Sequence, residues 1–264
     1  MRNLVFIPMY NCAAQIPRVL AQFDDPSVRP WVDTVLCIDN RSTDGTLDAA
    51  RSALEHCPVP TRVLLRNDDN YGLGGSHKVA IEFARAHGYD MLTVLHGDDQ
   101  GSITDLVGVL EEGAHADADF LMGARFMPGS RLEGYSTLRT LANRAFNLVF
   151  SAVSGTRLHD LGSGLNLMRV DAFADGFHTR FADDLTFNYY LILAVAHRKA
   201  RLRFFPLEWR EDDQISNARL TRMGFQILGL LGRRVTSPRR FFGDDHRAHP
   251  RAGYPSTEIA RWEV

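Results

Sequence analysis

The chain has 264 residues, of which 45% are apolar and 23% charged, and its formal net charge is -2. This composition is enough for a full hydrophobic core, excludes a mainly disordered protein and gives no electrostatic reason to expect nucleic acid as a partner. The three cysteines are an odd number without metal-type spacing, so we expect a reducing, cytoplasmic compartment. No apolar run approaches the ~20 residues that span a bilayer, and Pro8 interrupts the first apolar stretch, which indicates a strand rather than a signal peptide.

The first half of the chain alternates β-type runs with helical periods. The predicted strands are Leu4–Pro8, Thr34–Asp39, Arg62–Arg66, Met91–Leu95 and Asp119–Ala124. The predicted helices are Ile16–Phe23, Thr46–His56, Gly75–His87 and Ile103–Glu112. This alternation predicts an α/β fold with a Rossmann-like, mostly parallel sheet flanked by helices. Ligands of such sheets bind beyond the carboxyl ends of the strands, where the unusual polar residues of this half lie.

The second half has a different pattern, with longer helices and fewer strands. Its predicted elements are the helices Thr137–Val153, Asp184–Ala196 and Asn217–Arg234 and the strands Gly164–Met168 and Arg201–Phe205. The last of these helices is amphipathic and rich in arginine. Beyond Pro238 the sequence is polar and rich in turn residues, which predicts a loosely held tail.

One predicted strand runs into the acidic segment that contains His96, Asp98 and Gln100. Asp98 and Gln100 lie two residues apart, on one side of an extended chain, and both offer oxygen to a hard cation such as Mg²⁺ or Mn²⁺. Such a cation can bridge a diphosphate and neutralise the charge of a leaving group. A solvated turn that caps the following helix explains the same residues equally well.

Another predicted strand ends at Asp39, and Asp44 follows five residues later. Asp39 is suited to accept the N–H of a nucleobase. Asp44 is suited either to cap the next helix or to contact ribose or phosphate. Tyr10, after the first strand, is either a base-stacking ring or a simple turn aromatic.

The glycine-rich run from Asn70 to Lys78 meets neither common phosphate-loop motif, because the third glycine of G-x-G-x-x-G is replaced by His77 and the Gly-Lys-Ser/Thr ending is missing. Glycines that open a helix can still bring backbone N–H groups close to a diphosphate. Gly74 and Lys78 are therefore candidate nucleotide ligands.

These segments occur in an order that resembles a known family. The motifs are Ile-Pro-x-Tyr-Asn from Ile7, Asp-Asn-x-Ser-Thr-Asp-Gly-Thr from Asp39, Asn-x-Gly-x-Gly from Asn70, Gly-Asp-x-Gln from Gly97 and Gly-Ala-Arg-Phe from Gly123. Together, over residues 3–235, they resemble glycosyltransferase family 2 with its GT-A fold, and within it the polyprenyl-phosphate (dolichol-phosphate mannose synthase-like) glycosyltransferases. The resemblance implies a nucleotide-sugar-binding half at 1–125, an acceptor half at 126–235 that extends the domain, and a tail at 236–264.

The resemblance also implies roles for individual residues. The nucleotide-binding set is Pro8, Tyr10, Asn11, Asp39, Asp44, Gly74 and Lys78. The metal set is Asp98, Gln100 and His96, with Asp98 also catalytic. The phosphate- and acceptor-binding set is Arg125, Arg139, Asp160, Ser216 and Arg219. His96 stands where the family has Asp, which lowers the charge at the metal, although a neutral histidine can coordinate Mn²⁺ and Asp99 can add charge nearby.

The family is inverting, and its acceptor decides whether a base is needed. An acceptor phosphate is already ionised, whereas a hydroxyl needs a general base. Asp184 and Asp183 lie where hydroxyl-using relatives keep that base, but they also form an ordinary acidic pair before a helix. Transfer to a saccharide hydroxyl in cell-surface polysaccharide synthesis is therefore the alternative.

Two further hypotheses concern the protein's setting and class. The basic amphipathic segment 217–240 predicts peripheral contact with the inner face of a membrane and a polyprenyl-phosphate acceptor, although core packing also explains its apolar face. A catalytically weak nucleotide-sugar-binding protein is the non-enzymatic alternative, because His96 and Asn217 replace the family's Asp and Lys. A nucleotidyltransferase is disfavoured because its glycine-rich signature is missing near the amino terminus.

Overall fold

A computed structural model describes residues 1–211 and 220–263. Its strands are β1 Asn3–Met9, β2 Thr34–Asp39, β3 Thr61–Asn67, β4 Met91–Leu95, β5 Phe120–Ala124, β6 Arg131–Glu133, β7 Leu165–Arg169, β8 Leu202–Pro206, β9 Glu208–Arg210 and β10 Ser256–Glu263. Within the described residues, eight strands form one sheet in the order β10-β3-β2-β1-β4-β7-β5-β8, and β6 pairs with β9. Strands β3, β2, β1 and β4 are mutually parallel, while β7 and β10 are antiparallel to their neighbours.

The helices cover both faces of the sheet. Their bounds are α1 Ile16–Ala21, α2 Thr46–His56, α3 Gly72–Ala86, α4 Thr104–Glu111, α5 Thr137–Ser154, α6 Phe187–His197, α7 Leu220–Thr236 and α8 Pro238–Gly243. Because successive residues of a strand point to opposite faces, Phe6 packs with α3 and α6 while Ile7 packs with α1, α2 and α4. The apolar runs of β1 and β2 are therefore buried on both sides, as the central strands of a doubly covered sheet must be.

The carboxyl ends of β1, β2 and β4 meet at one edge of the sheet. The backbone N–H of Asn40, after β2, donates to the carbonyl of Met9 at 2.9 Å, and the N–H of Gly97, after β4, donates to the carbonyl of Pro8 at 3.3 Å. A Cβ at Gly97 would lie 2.9 Å from that carbonyl oxygen, so only glycine fits there. The segments that carry Tyr10, Asp39 and Asp98 are thus brought together.

The carboxyl-terminal segment differs from the predicted loose tail. Residues 238–243 form α8, with Phe241 buried, and β10 adds an antiparallel strand next to β3. Ile259, Ala260 and Trp262 of this strand pack against the core, and the register shifts between Glu258 and Ala260. The apolar side chains of this segment are few and are separated by charged residues. The segment forms a strand because β3 offers an edge with which it can pair.

Two smaller differences concern boundaries and membrane spans. Helix α3 begins three residues earlier than predicted, at Gly72, and α6 begins three residues later, at Phe187. In the described part of the chain, none of the helices combines the length and apolar character that crossing a bilayer requires. The predicted start of the last helix, residues 217–219, lies outside the described residues.

Candidate active site

Asp39 ends β2 and is completely buried. Its Oδ1 accepts the backbone N–H of Ser42 at 3.1 Å. Its Oδ2 lies 3.2 Å from Nε of Arg66, the residue opposite it on β3, but in the described structure neither of these two atoms makes a hydrogen bond. Buried polar atoms are rarely unpaired in proteins. Arg66 and Asp39 thus form an ion pair that leaves Asp39 Oδ2 without a hydrogen-bond donor, and this oxygen at the strand end is a candidate acceptor for a nucleobase N–H.

The metal-type segment follows β4. Asp98 Oδ1 accepts the backbone N–H of Gln100 at 3.3 Å, and Oδ2 lies 4.0 Å from Nδ1 of His96. Burial by the surrounding protein raises the pKa of Asp98 to about 6, although 38% of its side chain is exposed, and the Arg125 charge opposes this rise. Burial, assisted by Arg125, lowers the pKa of His96 to about 4. At neutral pH Asp98 is therefore mostly ionised and His96 is neutral.

These donors fit a shared ion better than a protein cage. Among the described residues, no three His, Cys, Asp or Glu side chains are grouped closely enough to hold a metal by themselves. Mg²⁺ and Mn²⁺ are commonly held by one or two carboxylates together with substrate phosphates. One carboxylate from Asp98, one amide from Gln100 and Nδ1 of His96, which lies 4.0 Å from Asp98 Oδ2, suit that arrangement.

Asp99 has its own partners beside this group. Its backbone is left-handed, with φ of 59°, and its carboxylate pairs with Arg18 at 2.7 Å and lies 3.4 Å from the Gln22 side chain. Its negative charge still contributes to the raised pKa of Asp98, so a role of Asp99 as a nearby charge stays a prediction.

Arg125 and Asp160 form a buried bidentate pair beside the metal-type segment. Nε and Nη2 of Arg125 donate to the two carboxylate oxygens, each at 2.8 Å. Burial raises the pKa of Asp160, but the charge and hydrogen bonds of Arg125 outweigh burial and hold that pKa below its ordinary value. The guanidinium also stacks over the Trp209 ring, 4.8 Å from its centroid. The predicted proximity of Arg125 to the metal residues is therefore present, with Asp160 as its permanent partner.

Arg139, on α5, is occupied by a carboxylate. Its Nη1 lies 2.5 Å from the Glu211 carboxylate, and its guanidinium is 4.3 Å from the centroid of the Tyr135 ring. In this arrangement Arg139 links α5 to the chain after β9. A phosphate must compete with Glu211 to reach it.

The glycine-rich start of α3 packs against protein. A Cβ at Gly74 would lie 2.5 Å from the carbonyl oxygen of Ala182, and the N–H of Gly75 donates to the carbonyl of Asp183 at 3.1 Å. The glycines therefore allow close approach of the segment before α6. Backbone of residues 182–183 fills the space where a side chain of residue 74 would lie, so close packing explains this glycine, and nucleotide binding through its backbone stays a prediction.

Lys78 and Asp183 bind each other. Lys78 is 3% exposed, and its Nζ donates to Asp183 Oδ1 and to the carbonyl of Phe181, both at 2.6 Å. The hydroxyl of Tyr254 donates to the same Asp183 oxygen at 2.6 Å. Burial lowers the pKa of Lys78, with Asp183 opposing that shift. Lys78 thus binds no phosphate in this arrangement, and Asp183 is not available as a base.

Three other predicted ligands organise local backbone. Asp44 Oδ1 accepts the N–H of Thr46 at 3.0 Å at the start of α2. Asp184 Oδ1 accepts the N–H of Thr186 at 2.8 Å before α6, although its side chain is exposed. Asn11, with φ of 52°, accepts the N–H of Thr43 at 2.9 Å through its side-chain oxygen. These interactions match the capping alternative for the two acids.

The remaining predicted residues fall into two groups. Tyr10 is 44% exposed next to Asp39, so its ring is accessible for stacking, and Pro8 lies at the same edge of the sheet. Ser216 and Arg219 lie outside the described residues.

Sequence reasoning missed Arg66 and Trp209. Arg66 meets Asp39 only through the parallel register of β2 and β3, and nothing local in the sequence marks it. Trp209 is buried beneath Arg125, and its indole N–H finds no acceptor among the described residues. A tryptophan directly before the arginine-rich acidic segment was the available signal.

An α/β sheet with a base-type acid after β2 and a metal-type segment after β4 defines the GT-A class of nucleotide-sugar-dependent fold. The glycosyl transferase family 2 model matches residues 4–177. The chain belongs to glycosyl transferase family 2.

Individual relatives agree with this membership. The chain is 32% identical over 171 residues to an undecaprenyl-phosphate mannosyltransferase of Micrococcus luteus, covering 65% of this chain and 68% of that protein. It is 26% identical over 168 residues to a polyprenol monophosphomannose synthase of Mycolicibacterium smegmatis, covering 64% of this chain and 62% of that protein.

Solved structures share the fold. A mannosyl-3-phosphoglycerate synthase from Rubrobacter xylanophilus aligns with a TM-score of 0.61 at 17% identity, over 100% of this chain and 89% of that one. A glucosyl-3-phosphoglycerate synthase from Mycobacterium tuberculosis, in complex with Mn²⁺, uridine diphosphate and phosphoglyceric acid, aligns with a TM-score of 0.63 at 15% identity, over 99% and 89%. At these identities the likeness shows the fold alone.

Proposed function

We propose that this chain is an inverting, metal-dependent glycosyltransferase that transfers a sugar from a nucleotide-sugar donor to a polyprenyl phosphate. The observation that carries the proposal is the single edge of the sheet that brings together Asp39, whose Oδ2 is ion-paired with Arg66 but accepts no hydrogen bond among the described residues, and the segment of Asp98. A base-pairing site and a diphosphate-facing carboxylate at the same edge are what a nucleotide-sugar donor requires. The polyprenyl-phosphate relatives support the acceptor class.

The roles of the residues follow from their contacts. Asp39 would accept an N–H of the base, and Tyr10 would stack on it. Asp98, Gln100 and His96 would hold a divalent ion, which when bound neutralises the diphosphate as it leaves. Arg125, fixed by Asp160 and Trp209, keeps a positive charge beside Asp98. A fixed cation stabilises developing negative charge without reorganising during the reaction.

The metal that suits this donor set best is Mn²⁺. Mg²⁺ prefers oxygen ligands in near-ideal octahedral geometry, and the neutral His96 offers nitrogen where the family has a carboxylate. The position of His96 Nδ1, 4.0 Å from Asp98 Oδ2, supports a role for this ring toward the ion.

A phosphate acceptor is favoured over a hydroxyl because the two predicted bases are otherwise engaged. Asp183 is bound by Lys78 and Tyr254, and one oxygen of Asp184 is held by Thr186. An acceptor phosphate, ionised at neutral pH, needs positioning and cations rather than a base.

A surface of exposed apolar and basic side chains supports a lipid-linked acceptor. Helices α5 and α7 pack together, and both carry exposed apolar side chains, among them Leu138 at 77% and Phe225 at 78% exposure. Arginines follow at the end of α7 and in α8, namely Arg233, Arg234, Arg239 and Arg240. Apolar residues beside basic ones are typical of surfaces that lie on anionic membranes. We therefore propose peripheral contact with the inner, cytoplasmic membrane face through segment 217–240, assisted by α5.

A transfer assay with matched acceptors tests the proposal. The protein, with Mn²⁺ and a panel of UDP- and GDP-sugars, is offered a polyprenyl phosphate or the polyprenol of the same length. We expect sugar to enter the lipid fraction only with the phosphate. Transfer to the alcohol alone would support the hydroxyl alternative, and donor binding without transfer or hydrolysis would support a binding protein.

Vesicle flotation tests the membrane contact separately. At low salt we expect the wild type to float with anionic vesicles, and Leu138→Asp with Leu148→Asp to remain in the soluble fraction. Replacing the buried Phe150 would only unfold α5, so the matched control is Thr140→Asp, on the same helix but away from the exposed leucines. Equal flotation of all three proteins would contradict a role for this surface.

A further inference from the structure

The carboxyl-terminal segment reaches back to the glycine-rich start of α3. Tyr254 lies just before β10, and its ring packs edge-on against Tyr71 with centroids 5.3 Å apart. A Cβ at Gly75 would lie 3.4 Å from the Tyr254 ring, and the Tyr71 hydroxyl donates to the carbonyl of Pro255 at 3.0 Å. The family match ends at residue 177, so Tyr254 lies in the part of the chain that the family model does not describe.

Three side chains form what we call the clamp, namely Lys78, Asp183 and Tyr254. The Asp183 carboxylate accepts from the Lys78 ammonium and the Tyr254 hydroxyl, both at 2.6 Å, and Lys78 is also 3.2 Å from the Tyr254 oxygen. Because each partner is largely buried, these charge-assisted bonds are strong and costly to break singly. The clamp joins α3, the segment before α6 and the carboxyl-terminal segment at one point.

The clamp is connected to the nucleobase site by a run of hydrogen bonds. The N–H of Gly75 donates to the Asp183 carbonyl at 3.1 Å. At the other end of this turn, the N–H of Tyr71 donates to Asn40 Oδ1 at 2.9 Å, and Asn40 directly follows Asp39. The side chain of Asn67 also donates to Asn40 Oδ1, at 2.9 Å. The position of the residue after Asp39 therefore depends on where the start of α3 is held.

We propose that Tyr254 is a positioning residue for donor binding: through Asp183 it fixes the start of α3, and thereby holds Asn40 and Asp39 in the arrangement that receives the base. This inference rests on the proposed function. It assigns the carboxyl-terminal segment a part in donor affinity, although that segment contributes no predicted ligand.

The test compares Tyr254→Phe with Tyr89→Phe. Tyr89 is a matched control, because its hydroxyl also donates a short buried bond, to Thr34 Oγ1 at 2.7 Å, without joining the clamp. Calorimetric titration with UDP and GDP in the presence of Mn²⁺ should give a Kd about tenfold higher for Tyr254→Phe, the effect of one lost charge-assisted bond, and an unchanged Kd for Tyr89→Phe. In turnover assays the donor KM should rise with it while kcat stays within about twofold, since the effect is on binding rather than on the transition state.

A double-mutant cycle and hydrogen exchange complete the test. Asp183→Asn should raise the Kd as much as Tyr254→Phe does, and the double variant should be no worse than either, because residues of one network are not additive. The Gly75 amide should exchange about tenfold faster in Tyr254→Phe, which reports local opening without any ligand.

Equal Kd values for Tyr254→Phe and Tyr89→Phe would overturn the positioning role. Unchanged Gly75 exchange would overturn the clamp itself, whatever the protein binds. A third outcome separates the two proposals: the wild type binds neither UDP nor GDP, but the Gly75 amide still exchanges faster in Tyr254→Phe. This result would contradict the proposed function, and with it any role of an intact clamp in donor binding.

Discussion

Two regions of this molecule use the same residue types for different purposes. At the edge formed by the carboxyl ends of β1 to β4, Asp39 Oδ2 and Arg66 Nε form an ion pair at 3.2 Å, but neither atom makes a hydrogen bond among the described residues. At the start of α3, the acid and base of the clamp saturate one another. A buried polar group that is fully paired stabilises structure, whereas one left unpaired carries a cost that a ligand can relieve. The contrast holds between these two places and not for the whole protein, since unpaired buried atoms also occur away from the site, as at Arg62 Nε and His178 Nδ1.

Replacing Asp98 should give the largest effect. With Asp98→Asn we expect kcat/KM to fall on the order of 1,000-fold, as when a principal electrostatic group is removed from an active site. Steady-state transfer assays measure this. Asp105→Asn is the control, because burial raises the pKa of Asp105 to about 6 as well, yet its carboxylate only accepts the N–H of Glu208. Loss of activity in both variants would contradict a special role for Asp98.

Asp98→Asn should raise the stability of the protein although it lowers activity. Because the pKa of Asp98 in the folded protein is raised to about 6 from 3.8, its ionisation costs stability as pH rises between these values, and the full cost is present above pH 6. Asp98→Asn should therefore stabilise the metal-free protein at pH 7, by at most about 1 kcal/mol after allowing for solvent screening of a partly exposed group, and should have no such effect below pH 4. Denaturant unfolding at the two pH values tests the sign.

Gly74→Ala probes the packed region. The added Cβ would lie 2.5 Å from the Ala182 carbonyl and 2.6 Å from Phe187 Cβ, so we expect a loss of about 2–3 kcal/mol from overpacking. Gly108→Ala, in the middle of α4 with nothing within 4 Å of the new Cβ, should instead gain roughly 0.5–1 kcal/mol from helix propensity. The free energies of unfolding of the two variants measure these effects. If Gly74→Ala instead has normal stability but reduced affinity for nucleotide, Gly74 is a nucleotide-binding residue.

Asp39→Asn probes the unsatisfied region. We expect the Kd for nucleoside diphosphates with Mn²⁺ to rise about 10- to 30-fold, the usual effect of weakening a hydrogen bond to a charged group. Titration with pyrophosphate and Mn²⁺ is the internal control, since it lacks a base and should bind the variant as it binds the wild type. An equal rise in the Kd for pyrophosphate would show that Asp39→Asn weakens binding of the phosphates rather than of the base.

The smallest effect should come from His96→Asp. Restoring a carboxylate should improve activity with Mg²⁺ relative to Mn²⁺ by roughly three- to tenfold, because Mg²⁺ favours oxygen ligands. Rates at saturating concentrations of each metal give the ratio. An unchanged ratio would indicate that His96 does not approach the ion.

The predictions made from the sequence succeeded where the pattern is local. The strands of the first half were placed within two residues, because buried central strands need continuous apolar runs and their polar carboxyl ends stand out. The capping alternative for Asp44 was also visible, since an acid two residues before a helix is a local signal.

What the sequence determined by itself is the α/β order, the family and the position of the acids after β2 and β4. What only the tertiary structure decided is the partner of each charge: that Lys78 meets Asp183, that Arg66 faces Asp39 and that the carboxyl-terminal segment forms a strand on β3. The physical reason is range. Strand and cap preferences act over a few residues. Pairing of buried charges depends instead on which distant segments the folded sheet brings within about 3 Å of each other.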